Sequence, residues 1–157
     1  MKFNIRPMAK EDKSALMEIL GHTPEFKPSE VSVAEEVIDS YLHNPDSYNI
    51  FIASTGADIV GFICYGLTPL TEATWDIYWL VVSPDRQGQG VGSTLMTSAE
   101  EKIKKCGGRL VIIETSAKPR YKKTQDFYLK HGCEIVCRIA DFYAPNDDKI
   151  ILQKRLK

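Results

Sequence analysis

The chain has 157 residues, of which 43% are apolar and 26% charged, and its formal net charge at pH 7 is −1. This length suits one domain, and this composition is typical of a soluble globular protein. The balanced charge argues against nucleic acid as a partner, because no basic excess is available to displace counterions. No apolar run approaches the ~20 residues of a membrane span, and residues 1–6 do not resemble a signal peptide, so we expect a cytoplasmic protein without membrane attachment.

The N-terminal part of the chain predicts a short strand and then two helices. Residues 3–6 form the strand, and the helix over residues 10–20 carries its apolar residues on one face. Two prolines make residues 23–28 a loop. Either Ser29 or Ser32 caps the second helix. We interpret its acidic residues as a solvated face, the alternative being a surface that attracts a cationic substrate.

Three strands are predicted in the middle of the chain. Residues 48–53 and 59–66 are rich in branched and aromatic side chains and flank a turn at residues 55–58, which is typical of a hairpin. Residues 74–82 form the third strand, which ends before Pro84 because proline cannot donate to a sheet ladder.

A glycine-rich turn and a long helix follow this third strand. Three glycines alternate within five residues, and a helix pattern begins at once and runs to about residue 106. One face of that helix carries apolar residues at i, i+4, i+8 and i+12, which are Val91, Leu95, Ala99 and Ile103. Glycines let the backbone approach a ligand, and the first N–H groups of a helix lack intrahelical acceptors. The turn therefore predicts a phosphate or pyrophosphate site, with a ligand-free tight turn as the alternative.

The C-terminal third of the chain predicts a strand, a helix and a final hairpin, over residues 109–115, 124–130, 134–142 and 149–156. The first of these strands is almost entirely apolar, so we expect it inside the sheet and parallel to strand 74–82. The resulting order is β-α-α-β-β-β-α-β-α-β-β. We predict an α/β (α+β) fold, with a single domain over residues 1–157 and a mixed, twisted sheet of about seven strands flanked by about four helices.

The cysteines and histidines predict no metal site. The four cysteines include no Cys-x-x-Cys pair and no histidine cluster accompanies them; they are Cys64, Cys106, Cys133 and Cys137. We interpret them as reduced, mostly buried thiols. The three histidines fall at predicted helix ends and are interpreted as structural.

The glycine spacing excludes two common phosphate-binding motifs. A dinucleotide-binding turn requires Gly-x-Gly-x-x-Gly, and a Walker A loop ends in Gly-Lys-Ser/Thr. The stretch instead reads Leu80-Val81-Val82-Ser83-Pro84 and then Gln87-Gly88-Gln89-Gly90-Val91-Gly92. This string resembles motif A of the GCN5-related N-acetyltransferase (GNAT) superfamily, whose core is Gln/Arg-x-x-Gly-x-Gly/Ala after a Leu-x-Val-x-Pro strand end. The predicted element order is also the one that this superfamily shows.

A second stretch, Phe127-Tyr128-Leu129-Lys130-His131-Gly132-Cys133, resembles motif B of the same superfamily, usually Phe-Tyr-x-x-x-Gly-Phe. Cys133 departs from the usual Phe, and Tyr121 and Thr124 replace the common Asn and Ala. The connection that leads from Thr115 to Tyr121 is about four residues longer than usual.

The resemblance implies acetyl-CoA as co-substrate and no metal. It places the pyrophosphate on the N–H groups from Gly88 to Ser93, the pantetheine arm along strand 80–82, and the thioester carbonyl on the N–H of Val82. The implied cofactor-binding residues are Leu80, Val81, Val82, Gln87, Gly88, Gln89, Gly90, Val91, Gly92, Ser93, Thr124, Phe127 and Tyr128.

Three residues are candidates for proton transfer. An amine with a lysine-like pKa of ~10.4 is mostly protonated at neutral pH, so a base is useful. Asp76 stands eleven residues before Gln87, the spacing of the general base in histone-type members of the superfamily, and Glu114 is the second choice. Tyr128 is the candidate acid for the departing thiolate. The alternatives are a structural aspartate and a core tyrosine.

The resemblance implies an acetyl-CoA-dependent N-acetyltransferase that moves the acetyl group to a primary amine by direct attack in a ternary complex. The acceptor would be a small molecule or a peptide. The alternative is a non-catalytic acyl-CoA-binding sensor or interaction module on the same fold. The sequence leaves the oligomeric state open, with a homodimer as one possibility.

Overall fold

The computed structural model describes residues 3–157, which form seven strands and four α-helices. Their bounds are β1 Asn4–Pro7, α1 Lys13–Gly21, α2 Pro28–His43, β2 Asn49–Thr55, β3 Asp58–Leu67, β4 Thr74–Val82, α3 Val91–Lys105, β5 Leu110–Ser116, α4 Lys122–Lys130, β6 Glu134–Ala144 and β7 Asp147–Arg155. The strands form one mixed sheet in the order β1-β2-β3-β4-β5-β7-β6. The predicted element order and fold class are confirmed.

The chain forms two compact units. The first contains the described residues up to Gly66 together with Tyr78–Lys102, and the second contains Leu67–Ile77 together with Ile103–Lys157. Each unit therefore contains part of β4 and part of α3. The prediction of a single domain over residues 1–157 stays a prediction.

In the first unit, an antiparallel β1-β2-β3 sheet carries an apolar core. The core side chains come from α1, α2 and the strands, and they include Leu16, Leu20, Ile38, Ile50, Ile52 and Phe62. Each such side chain contributes roughly 1.5–3 kcal/mol when it is removed from water. Burial of one face of each helix is what the apolar periodicity predicted.

Gly61 of β3 lies in close contact with the end of β4 and the start of α3. A Cβ added to it would lie 2.8 Å from the carbonyl oxygen of Val81 and 3.1 Å from Cγ1 of Val91. Only a residue without a side chain lets β3 approach both the end of β4 and the first residue of α3 this closely. The packing that positions the glycine turn therefore depends on this glycine.

In the second unit, β4 pairs with β5 in parallel, with Thr74–Ile77 opposite residues 110–113. The parallel pairing that the strand–helix–strand order predicted is confirmed. β7 pairs antiparallel with β5 on one side and with β6 on the other. All residues of β6 are exposed, including its apolar side chains at Ile135, Val136 and Phe142.

Two sequence-based predictions are wrong. Neither Ser29 nor Ser32 caps the second helix, because α2 already begins at Pro28, and Lys27 is its N-cap. Proline suits the first helical position, where its fixed φ is helical and its missing N–H is not needed. The cysteines are all free thiols, but only Cys64 and Cys133 are buried, so "mostly buried" does not hold.

The face predicted for the helix after the glycine turn is confirmed. Its residues at i, i+4, i+8 and i+12 are at most 1% exposed; they are Val91, Leu95, Ala99 and Ile103. The histidines lie at helix ends as predicted, since His22 and His131 are C-caps and His43 is the last residue of α2. Among residues 3–157, no helix is both long and apolar enough to span a bilayer.

Candidate functional site

The glycine turn lies in the first unit and links β4 to α3. β4 ends where the Ser83 N–H donates to the carbonyl of Val60 (2.8 Å), and a short 3-10 turn at Pro84–Arg86 follows. Gly88 and Gly90 then adopt φ values of +80° and +89°, a region that favours glycine over residues with a Cβ. A Cβ added to either would meet no atom within 4 Å. Backbone conformation, not crowding, therefore requires these two glycines.

The start of α3 is firmly held. The carbonyl of Gly90 accepts hydrogen bonds from the Thr94 N–H (3.0 Å) and from Thr94 Oγ1 (2.8 Å). The side chain of Val91 is buried, whereas residues 87–90 are exposed. The first turn of a helix presents backbone N–H donors at the positive end of its dipole. The arrangement offers an accessible cradle for an anionic group with several oxygens, such as a pyrophosphate.

The side chains of the turn bond mainly to the loop itself. Gln87 Nε2 donates to the carbonyl of Val82 (3.3 Å), and Gln89 Nε2 donates to the carbonyl of Asp85 (3.5 Å). Ser83 Oγ donates to Asp85 Oδ1 (2.6 Å), and this hydrogen bond holds the pKa of the Asp85 carboxyl below its usual value. Through these hydrogen bonds the two predicted cofactor-binding glutamines stabilise the loop.

Asp76 lies in the second unit, on the first half of β4 and opposite Ile112 of β5. Its neighbours Trp75 and Ile77 are buried, and Asp76 itself is partly buried. Thr68 Oγ1 donates a 2.7 Å hydrogen bond to Asp76 Oδ2. Sequence reasoning missed Thr68. The only available signal was its position at the start of the turn that leads into β4.

Glu114 lies on β5, also in the second unit, and its carboxylate forms an ion pair. Lys149 of β7 places Nζ 2.5 Å from Glu114 Oε1 and 4.0 Å from the centre of the Phe142 ring. Ile112 lies opposite Asp76, and Glu114 lies two residues after Ile112 on β5. The two candidate bases therefore lie on neighbouring strands, and they have different partners.

Tyr128 lies on α4 and is 5% exposed. Burial raises the pKa of its phenol. A phenol is protonated at neutral pH already at its ordinary pKa of about 10, and the raised pKa makes the Tyr128 hydroxyl a weaker proton donor than a free phenol. The ring of Phe127 lies 5.4 Å from the Tyr128 ring and 4.4 Å from that of His131. Thr124, one turn earlier on α4, is partly buried.

The predicted site residues thus fall into two groups. Leu80, Val81 and Val82 lie with the glycine turn in the first unit, and the remaining candidates lie in the second unit, namely Asp76, Glu114, Thr124, Phe127 and Tyr128. Within residues 3–157, histidine, cysteine and acidic side chains form no group of three or more that could hold a metal ion.

The region that contains both sets of motifs decides the family. The sequence model of the acetyltransferase (GNAT) family matches residues 14–133, which include the glycine turn and Tyr128. The chain belongs to the acetyltransferase (GNAT) family. The superfamily that the two motifs predicted is therefore confirmed.

Individual relatives agree with membership of the GNAT family. Aminoalkylphosphonate N-acetyltransferase of Salmonella typhimurium is 29% identical over 120 residues, which are 74% of this chain and 73% of that protein. A crystal structure assigned to the GNAT family from Desulfovibrio desulfuricans superposes with a TM-score of 0.94 at 33% identity, covering 98% of this chain and 99% of that one. An aminoglycoside 6'-N-acetyltransferase in complex with coenzyme A shares the fold (TM-score 0.75, 22% identity, 97% and 96% covered).

Proposed function

We propose that this GNAT protein is an acetyl-CoA-dependent N-acetyltransferase that moves the acetyl group to a primary amine by direct attack in a ternary complex. The observation that carries the proposal is the conformation of the glycine turn. Gly88 and Gly90 have positive φ and lie directly before the first N–H groups of α3. These residues fit a pyrophosphate, because the cradle is exposed and built from backbone donors.

The protein's own contribution to binding is mostly backbone. The N–H groups from Gly88 to Ser93 would hold the pyrophosphate of acetyl-CoA, and the edge of residues 80–82 would pair with the amide groups of its pantetheine arm. The backbone N–H of Val82 is the proposed donor to the thioester carbonyl oxygen, where negative charge develops. When bound, acetyl-CoA supplies an activated acyl group with a thiolate leaving group.

Two side chains are proposed to move the protons. Asp76 is the proposed base that accepts a proton from the ammonium form of the acceptor, directly or through water. Tyr128 is the proposed acid that protonates the departing thiolate, because its phenol carries a proton at neutral pH. Glu114 is the second candidate base, but its ion pair with Lys149 favours a structural use.

The acceptor is proposed to be a small primary amine. The Salmonella relative is named as an aminoalkylphosphonate N-acetyltransferase, so aminoalkylphosphonates are the first acceptors to test. Release of CoA thiol from acetyl-CoA should be measured with a panel of aminoalkylphosphonates, aminoglycosides and peptide amines. We expect turnover with at least one small amine. Tight CoA binding by calorimetry, with no turnover on any amine of the panel, would instead support a non-catalytic sensor.

A further inference from the structure

Thr68 and Asp76 are joined across the turn between β3 and β4. Thr68 directly follows β3, and its Oγ1 lies 2.7 Å from Oδ2 of Asp76 on β4. A carboxylate can only accept, so the hydroxyl is the donor. Both residues are partly buried and belong to the second unit. The bond is therefore short, charge-assisted and partly shielded from water, which places it among the stronger hydrogen bonds.

The backbone of Thr68 is fixed on both sides of its Cα. Its N–H donates to the carbonyl of Thr74 (2.8 Å), and its carbonyl accepts from the N–H of Thr71 (3.2 Å). A β-branched side chain has few χ1 rotamers on a fixed backbone. The hydroxyl is consequently held in one direction before any acceptor arrives.

An aspartate carboxylate is less constrained by itself. The last torsion of an aspartate side chain is broad, so the plane of its carboxylate rotates easily unless something holds it. The carboxylate offers about four acceptor positions, and the Thr68 bond occupies one of them. A fixed donor on Oδ2 can therefore set the plane of the carboxylate.

We infer that Thr68 is a positioning residue, whose hydroxyl holds the Asp76 carboxylate in the orientation in which it accepts a proton from the acceptor amine. This inference rests on the proposed function of Asp76 as the base. A proton acceptor that is oriented in advance reacts more often from the productive geometry, so the effect falls on kcat.

The test compares variants that remove or keep one hydroxyl. Thr68→Val keeps the shape and removes the donor, and we expect kcat to fall about tenfold while the Kd of CoA, measured by calorimetry, is unchanged. Thr68→Ser restores the donor and should recover most of kcat. Thr68→Ala provides the same reading if the valine variant folds poorly.

The matched control is Thr71→Val, in the same turn. The Thr71 hydroxyl bonds to the backbone oxygens of Thr68 (2.8 Å) and Thr74 (3.2 Å). If loosening of the turn were the cause, Thr71→Val would lower kcat as much as Thr68→Val. We expect it to lower the melting temperature and to keep kcat within about twofold of the wild type.

A double-mutant cycle with Asp76→Asn separates this inference from the proposed function. Asp76→Asn should lower kcat/KM, most strongly at low pH where little free amine exists, and Thr68→Val should add almost nothing to it. If Asp76→Asn lowers kcat/KM but Thr68→Val does not, the positioning role is wrong and the base stands. Additive losses also overturn the positioning role. If Asp76→Asn is as active as the wild type, both are overturned.

Discussion

Lys149 and Glu114 form an ion pair between β7 and β5, with Nζ 2.5 Å from Oε1. The lysine side chain is 11% exposed and the glutamate side chain 49% exposed, so the pair is more shielded on the lysine side. The same ammonium lies 4.0 Å from the Phe142 ring centre. A carboxylate with this partner serves to neutralise a largely buried cation, which is a structural task.

Glu114→Gln should therefore affect stability more than catalysis. It leaves the Lys149 ammonium without its counter-charge, and we expect the free energy of unfolding to fall by about 1 kcal/mol, since the glutamate is half exposed. Thermal or urea unfolding measures this loss. Glu72→Gln is the control, because its ion pair with Arg109 is exposed on both sides and should change little. A large fall in kcat without loss of stability would instead make Glu114 the base.

Gly90→Asp should weaken CoA binding by more than Gly90→Asn. Both side chains are strained at the φ of +89°, so both variants carry the same backbone cost. Only the aspartate adds a negative charge beside the proposed pyrophosphate position, and calorimetry with CoA isolates this difference. We expect the aspartate to bind at least tenfold more weakly than the asparagine. Equal affinities of the two variants would show that no phosphate lies near residue 90.

Tyr128→Phe should lower kcat by roughly 10²-fold or more and keep the affinity for CoA, because it removes one proton donor and little volume. Tyr41→Phe is the matched control. The Tyr41 hydroxyl donates to the carbonyl of Met8 (3.0 Å), so its loss should cost about 1 kcal/mol of stability and leave kcat unchanged. The kcat of both variants is measured by steady-state kinetics, with an amine for which the chemical step is rate-limiting. An unchanged kcat for Tyr128→Phe would make Tyr128 a core residue.

Asp12 should make the stability of the protein depend on pH in the acid range. Arg6 donates to both of its oxygens (2.7 and 2.9 Å), and the Ala9 N–H donates to Oδ2 (2.7 Å). These hydrogen bonds, that of Arg6 first, lower the pKa of the Asp12 carboxyl. A lowered pKa means that the stabilisation is complete above the unfolded value of about 3.9 and is lost as the pH falls through the folded value.

We therefore expect Asp12→Asn to be less stable than the wild type by about 2 kcal/mol at pH 7, with a difference that shrinks below about pH 4. Urea unfolding of both proteins from pH 3 to pH 7 measures it. Asp39→Asn, which affects a surface ion pair with Lys13, is the control. A difference that stays constant over the whole range would show that the charge of Asp12 is not involved.

The parts of the fold that were predictable are those encoded by neighbouring residues. The face of α3 follows from the spacing of Val91 and Ile103, and the glycine turn follows from Gly88 and Gly90, because both patterns reflect local backbone geometry. The parallel pairing of β4 with β5 followed from the handedness of strand–helix–strand units. Proline at the first position of α2 is also a sequence signal for a helix start, whereas a serine cap rests on propensity alone.

The contacts of the candidate site could not be predicted in the same way. The partner of Glu114 depends on the register of β5 against β7, which places Lys149 opposite Ser116. The partner of Asp76 depends on the course of the turn after β3, where Leu70 adopts a φ of +67° without being glycine. The spacing of apolar residues predicts neither strand register nor turn conformation. The roles of Lys149 and Thr68 as partners are therefore seen only in the structure.

The position of β7 constrains how the protein folds during its synthesis. β7 is the last strand of the described chain to be made, yet it separates β5 from β6 in the sheet. In a nascent chain that has released β5 and β6 but not β7, β5 can pair only with β4 and keeps one open edge, and β6 has no partner strand. The second unit can complete its sheet only after Arg155 has left the ribosome.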